Sequence, residues 1–305
     1  MVANIRLRSP YYIFKTELGS KMAELTLTIG GELKYTLTKN TDSQGNVLFE
    51  ISELSRDFID VTFYGSYLPV TIQIVAQIKF YDENDVLLNT FTDDLFGFDG
   101  YGEFKDGSNP IISSGALLQS NTEIYLPENK QGRVAVESSN DISYNTIIPS
   151  AEGNVTIGTH TIKVNRVCEA KYNPIKVTFV NKFGVLQDVW FFKKTVESIN
   201  VQKDKFKRNI LTSSGQYSVF KHSQTVLNTT ANEVFTSNTG FVSESMNEVF
   251  KELMLSERVW STIDGIVYPI AINNSQLQYK TSLNDKLINY TIEFEYAYDT
   301  INSIR

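Results

Sequence analysis

The 305 residues exceed the length that one hydrophobic core usually serves, so two domains are expected, and 41 % apolar residues with 12 % aromatics suffice to fill them. A net charge of −7, spread along the chain without a basic stripe, argues against nucleic acid as a partner. The one cysteine, Cys168, excludes an internal disulfide framework and any zinc site built on CxxC pairs, and it points to a reducing compartment at synthesis.

The first residues, MVANIRLRSPYYIFKTELGS, lack the apolar run of about 7–15 residues that a secretion signal needs, and no later run approaches the ~20 that span a bilayer. A protein made and kept soluble is expected, so the sequons at Asn154 and Asn289 read as products of an Asn- and Thr-rich composition. Strand patterns then dominate. AELTLTIGGELKYTLTK alternates Leu25, Leu27 and Ile29 with Thr26 and Thr28, breaks at Gly30-Gly31 and resumes through Leu33, Tyr35 and Leu37, which predicts a β-hairpin. After NTDSQGN, VLFEI continues as strand, and Ile51, Leu54 and Phe58 stand at the spacing of a short helix.

VTFYGSYLPVTIQIVAQIKFYDENDVLLNTFTDD supplies two long alternating strands around Asp82-Glu83-Asn84-Asp85, a plain turn rather than a calcium loop, because the ligand spacing of such a loop is absent. DDLFGFDGYGEFKDGSNP, residues 93–110, interleaves Phe96, Phe98, Tyr101 and Phe104 with glycines and is too glycine-rich for an ordinary strand. Aromatics on such a loop either fold back on their own domain or face a partner, which makes these four the candidate interface residues. ALLQS, EIYLP, RVAVES, NTIIP and VTIGTHTIKV add short strands, so residues 1–150 read as an antiparallel β-sandwich.

Residues 151–305 form the second expected domain, which takes shape from CEAKYNPIKVTFVNKFGVLQDVWFF. There Val177 and Phe179 face Val189 and Phe191 across the turn Asn181-Lys182-Phe183-Gly184. Further strands are expected in QYSVFKHSQTVL, in IVYPIAI and in LINYTIEFEYAYDTI, where Ile288, Tyr290, Ile292, Phe294, Tyr296 and Tyr298 line one face. SESMNEVFKELMLSERVW predicts one amphipathic helix over about 245–262, with Ser245 and Glu248 at capping-box spacing and Met246, Val249, Phe250, Leu253 and Met254 on its apolar side. The expected fold class is mainly β: antiparallel β-sandwich domains with one amphipathic helix in the C-terminal half.

Residues equipped for chemistry are scarce. The two histidines, His160 and His222, sit inside alternating patterns and match no HExxH or GxSxG context, and the glycine-rich stretches fit neither a phosphate loop nor a dinucleotide turn. Asp93-Asp94 and Glu293 with Glu295 are the acidic pairs available to a glycosidase, yet the first reads as a solubilising loop feature and the second as an outward face. No catalytic residue, cofactor or metal site is assigned, and no enzymatic activity is expected. Lys203, Lys205, Lys207 and Arg208 around Phe206 form the one basic cluster, read as a solvated connection, and Trp190 and Trp260 read as core.

The run IKVTFVNKFGVLQDVWFFKK, the helix ending in LMLSERVW and GIVYPIAINNSQLQYKTSLNDKLINYTIEFEYAYD resemble the C-terminal part of structural proteins of tailed-bacteriophage virions. NIRLRSPYYIF, AELTLTIGG and FEISELSRDFI are similar to the opening of the same group. The resemblance implies a tail or baseplate adaptor, synthesised in the bacterial cytoplasm and assembled as a ring in the virion. Its partners are then copies of itself and neighbouring virion proteins. The alternative is a carbohydrate-binding module of the phage tail, in which the aromatics of residues 96–104 meet a glycan, and a carboxylate hydrolase using Asp93 and Asp94 is the third reading.

Overall fold

Apolar alternation sets the first sheet in the computed structural model, which describes residues 2–168, 171–281 and 288–301. Strand β3 (Met22–Ile29) buries Ala23, Leu25, Leu27 and Ile29 and turns through Gly30 and Gly31, both at positive φ, into β4 (Glu32–Asn40). β6 (Ile72–Tyr81) lies along the other side of β3 and adds Ile74, Ala76, Ile78 and Phe80 to the same core. β7 (Leu87–Phe98) follows antiparallel to β6, and β1 (Val2–Arg6) closes the sheet parallel to β7, giving the order β1-β7-β6-β3-β4. A ribbon of β2 (Tyr12–Thr16) and β5 (Asn46–Glu50) inserts Ile13, Val47 and Phe49 into that core, so two β layers share one apolar interior. Helix α1 (Ser52–Arg56) stands where a short helix is expected, but Phe58 is exposed and Ile59 takes the buried position with Ile51 and Ser55.

The chain then builds small sheets from β8 (Glu123–Pro127), β9 (Gly132–Ser138), β10 (Asp141–Ile147), β11 (Gly153–Ile157) and β12 (His160–Val167). β9 and β10 form a hairpin, while β12 pairs antiparallel with β11 and parallel with β8. The boundary expected at residue 150 therefore falls inside a hydrogen-bonded unit, because β8 and β12 stand on either side of it and share the apolar cluster of Leu126, Val134, Ile147, Ile162 and Val164.

The remaining sheet has seven antiparallel strands: β13 (Ile175–Val180), β14 (Leu186–Phe191), β15 (Val196–Lys207), β16 (Gln224–Asn238), β17 (Val259–Ile263), β18 (Ile266–Ile272) and β19 (Thr291–Tyr296). Their order is β14-β13-β17-β18-β19-β16-β15. Helix α2 (Met246–Leu255) covers one face, packing Met246, Val249, Phe250 and Leu253 on Phe179, Phe191, Phe235 and Phe294. In this β-rich half the helix supplies the apolar layer on one face of the sheet.

The helix is also shorter than the 245–262 expected. Ser256 adopts extended backbone and ends it, and Val259 pairs with Phe179, so the apolar spacing that seems to continue the helix belongs to β17. Ser245 makes no capping hydrogen bond to its own helix; its hydroxyl instead donates to Glu123 Oε2 at 3.3 Å, tying α2 to β8. Ile288, Tyr290, Ile292 and Phe294 are buried as the alternation predicts, while Tyr298 is exposed. Leu287, the first residue of that expected strand, lies outside the described residues, as do Glu169 and Ala170 in the segment before β13.

The turn of the β13–β14 hairpin seats against the end of β7. Tyr101 N–H donates to Lys182 O at 2.9 Å, and both backbones approach so closely that a Cβ on Gly184 would lie 2.5 Å from Asp99 N and one on Gly100 would lie 2.5 Å from Lys182 O. Gly184 in addition has φ +83, a conformation that side chains disfavour. Gly184→Ala is expected to lower stability by more than ~2 kcal/mol, the combined scale of overpacking and left-handed strain. A urea titration checks this, and a change below ~0.5 kcal/mol would show that the contact is dispensable.

Candidate functional site

Of the four aromatics picked out between residues 93 and 110, three return to the protein. Residues Asp93–Phe98 continue β7, because Leu95 and Phe98 alternate into apolar clusters and Gly97 leaves room for Leu7, whose Cδ1 would be 2.7 Å from an added Cβ. The glycines that read as loop signals mark close approaches within and beside a strand. Phe98 is fully buried, Phe96 packs beside it, and Tyr101 is half-buried where the hairpin turn meets the strand end. Only Phe104 faces outward, at 104 % relative exposure on a single 3-10 turn, Phe104–Asp106. Asp93 pairs with Lys15 at 2.8 Å instead of solubilising a loop.

The loop after Phe98 is fastened by charge. Lys251 Nζ on α2 donates to Glu103 Oε1 at 2.6 Å and Lys105 Nζ lies 2.9 Å from Glu103 Oε2, and these two ammonium groups hold the Glu103 carboxyl at about 2. Nearby, burial raises the carboxyl of Glu252, which accepts from Ser120 and from Lys182 N at 3.3 Å.

Elsewhere, reactive side chains are dispersed. His160 lies on β12 with its Nε2 2.8 Å from Gly115 O, and His222 lies on an exposed turn rather than inside a strand, since β16 begins at Gln224. Glu293 and Glu295 both face the amide of Asn273, at 3.5 and 3.2 Å. Among the described residues no three His, Cys, Asp or Glu side chains gather in a way that would hold a metal ion. Trp190 and Trp260 are half-buried, against the β8–β12 cluster and against Phe63 respectively.

An exposed apolar surface lies on a ribbon that includes the segment read as a solvated connection, residues 201–209. β15 and β16 pair from Val196↔Thr236 out to Lys207↔Gln224, with one irregularity at Asp204/Lys205, yet β16 meets β19 only from Val234 to Asn238. Beyond Ala231, whose carbonyl accepts from Thr300 N–H at 2.7 Å, the two strands pair only with each other and project about 20 Å before the turn that joins them. All twelve residues of β15 are exposed. The far end carries Phe220 at 91 % exposure, Val219 at 78 % and Leu227 at 74 %, with Leu211, Tyr217 and Phe206 also outward.

Two physical arguments mark this ribbon as an interaction surface. An isolated two-stranded ribbon is marginally stable in water, and clustered exposed apolar side chains are a common feature of contact surfaces. The charge is equally uneven: residues 196–230 carry Lys203, Lys205, Lys207, Arg208 and Lys221 against Glu197 and Asp204, a net +3 within a chain of net −7. Lysines along the free edge oppose indiscriminate strand pairing, which leaves the faces and tip of the ribbon as its open surfaces. On the sequence, QYSVFKHSQTVL after the Ser-Ser-Gly turn reads as strand, whereas VQKDKFKRN before it lacks buried alternation and reads as a connection unless the cross-strand register is known.

Compared with known proteins, the sequence matches no protein-family model, no curated protein and no solved structure.

The Glu103 contact yields a test with a definite sign. Its carboxyl is depressed in the folded protein, so the stabilisation it gives is present above the ordinary carboxylate range and disappears as pH falls toward about 2. A carbon-detected NMR titration should find this carboxylate ionised at pH 3.5 and returned toward the ordinary range in Lys251→Met. An unshifted Glu103 in the native protein would show that the loop is not held by α2.

Proposed function

We propose that this chain is a non-enzymatic structural subunit that assembles with copies of itself and with neighbouring proteins, using the β15–β16 ribbon as an arm. The observation that carries the reading is the ribbon, which offers a cluster of outward aromatic and aliphatic side chains on strands that, among the described residues, pair only with each other beyond Ala231. A second copy is the partner that charge favours, since the rest of the chain is net −10 once the +3 of residues 196–230 is set apart. An arm that leaves its own fold and packs on the next copy is a head-to-tail contact, and such contacts close into rings when the rotation permits.

The virion of a tailed phage is the setting we infer, with a tail or baseplate adaptor as the component, on the resemblance of the two halves of the sequence to that group. An adaptor requires surface and rigidity rather than reactive groups. The division into a packed body and a projecting ribbon suits that role. The glycan-binding alternative, as framed on Phe96, Phe98, Tyr101 and Phe104, keeps only Phe104 as an outward ring.

Light scattering on the purified full chain, with negative-stain images of the same fraction, should give a closed assembly of fixed copy number. A variant in which residues 203–229 are replaced by a two-residue Asn-Gly turn between the paired Gln202 and Thr230 should remain monomeric with an unchanged thermal midpoint. Identical mass distributions for the two proteins, or a native monomer that never joins purified virions, would overturn the reading.

A further inference from the structure

A concavity on the face of the seven-stranded sheet opposite helix α2 has a volume of about 600 Å³ and has no part in the assembly reading. Its floor follows from strand register. Lys176 on β13 stands directly across from Trp190 on β14 and from Thr262 on β17, and one step along, Thr178 stands across from Asp188. These residues alternate with Val177 and Phe179, which point to the helix side, so the same strand that builds the core presents a polar row to the cleft.

Within that row the acid is satisfied and the cation is not. Asp188 accepts from Tyr67 Oη at 2.7 and 2.5 Å and from Thr178 Oγ1 at 2.7 Å. Burial, then the charge of Asp188, raises Tyr67 far above its ordinary value, so its hydroxyl keeps its proton and remains the donor to that carboxylate. Lys176 Nζ donates to Tyr67 Oη at 2.9 Å and lies 5.1 Å from the ring centre of Phe63 and 5.2 Å from that of Tyr67. Two of its three protons have no protein acceptor, and no carboxylate lies within ion-pair distance among the described residues.

Two more cations face the same cleft without an ion pair. Arg133 lies over the other side of the Tyr67 cluster, 5.6 Å from the ring centre, with one guanidinium nitrogen donating to Thr146, and Lys130 stands exposed at the rim. Three such cations around one cavity are unexpected in a chain of net −7, and a half-buried ammonium held by aromatic rings lacks the compensation that an anion would supply. Gln131, Asn173 and Asp264 complete the rim with amides and one carboxylate, groups that accept from and donate to hydroxyls rather than bind a bare anion. The volume falls in the range of small-molecule sites, about 300–1,000 Å³.

We infer that this cleft binds an acidic saccharide unit, a hexuronate-type sugar whose carboxylate meets Lys176 and Arg133 and whose hydroxyls meet the amide and carboxylate rim. The contact between a carboxylate and a positioned ammonium plus guanidinium is charge-assisted, and the loss of either cation is expected to weaken binding at least fivefold. Trp190 lines the cleft, so tryptophan fluorescence and saturation-transfer NMR report on the occupant.

The probes are D-glucuronate, D-glucose and sodium sulfate at constant ionic strength, added to the full chain. D-Glucuronate should bind at least tenfold more tightly than D-glucose and sodium sulfate. Arg133→Gln and Lys130→Gln, both on accessible positions, should each weaken it without changing the thermal midpoint, and Lys176→Met should abolish it. Should Lys176→Met fail to fold, the rim variants still decide the matter. Equal binding of glucose, sulfate matching glucuronate, or glucuronate binding indifferent to both rim variants would overturn the inference. None of these outcomes touches the assembly reading, which depends on residues 196–230.

Discussion

The contact on which the rest of the architecture depends is the seating of one turn on one strand end. Gly100 and Gly184 let the Asn181–Gly184 turn lie against residues 99–101 at distances that leave no room for a Cβ on either side. Around that contact the chain gathers what it needs to make it permanent. Arg8 binds Asp99 through two nitrogens at 2.7 and 2.9 Å, Asn181 donates to Leu118 O at 2.8 Å, and Phe98, Leu118 and Val185 bury themselves in one small cluster. Two β bodies that each have their own core are thereby joined by close backbone approach and by two small apolar clusters, one of Phe98, Leu118 and Val185 and one of Val61, Phe63, Val180 and Leu186. Ion pairs between Arg56 and Glu257 and between Arg258 and Asp60 add connections at the exposed rim, where their contribution is small.

Much of this fold was legible because local alternation and burial coincide. Leu25, Leu27 and Ile29 announce β3, Val177 and Phe179 announce β13, and Phe250 and Leu253 announce the helix, since each pattern has only one face to bury. The parts that were not legible depend on pairings distant in sequence. No local pattern tells that Val2–Arg6 lies parallel to Asp94–Phe98, or that β8 runs beside β12 across the expected domain boundary. Glycine misled in one place: Gly97 and Gly100 signal a loop by propensity, whereas packing against Leu7 and against Lys182 is what requires them. Val259 and Trp260 misled in another, where helical spacing continues past Leu255 only by coincidence with a buried strand.

The candidate site was read less well than the fold. Aromatic residues near glycine suggested an outward patch at Phe96, Phe98 and Tyr101, but a large ring beside a small residue is also how a tight strand contact is built. In the ribbon of residues 196–230 a strand is expected over QYSVFKHSQTVL, but its long partner strand is missed for the opposite reason. Its apolar residues are diluted by Ser, Thr, Asn and Lys, so no window looks greasy, and only the cross-strand register brings Phe206, Val226 and Leu227 to one end. The cleft cations are scattered further still, over β9, β13 and the loop before β9, and no spacing rule would have collected them.

An assembly subunit whose arm lies free in the isolated chain and covered in the particle makes a definite statement about hydrogen exchange. The amides of Ile199–Lys207 and Gln224–Thr230 should exchange within seconds in dilute protein, because few contacts hold this ribbon closed. In the assembled fraction the same amides should be protected by at least 100-fold, while β3 and β13 exchange equally slowly in both. Rapid exchange of the ribbon in the assembled particle would contradict the account, for it would mean that the exposed apolar surface of the ribbon meets no partner.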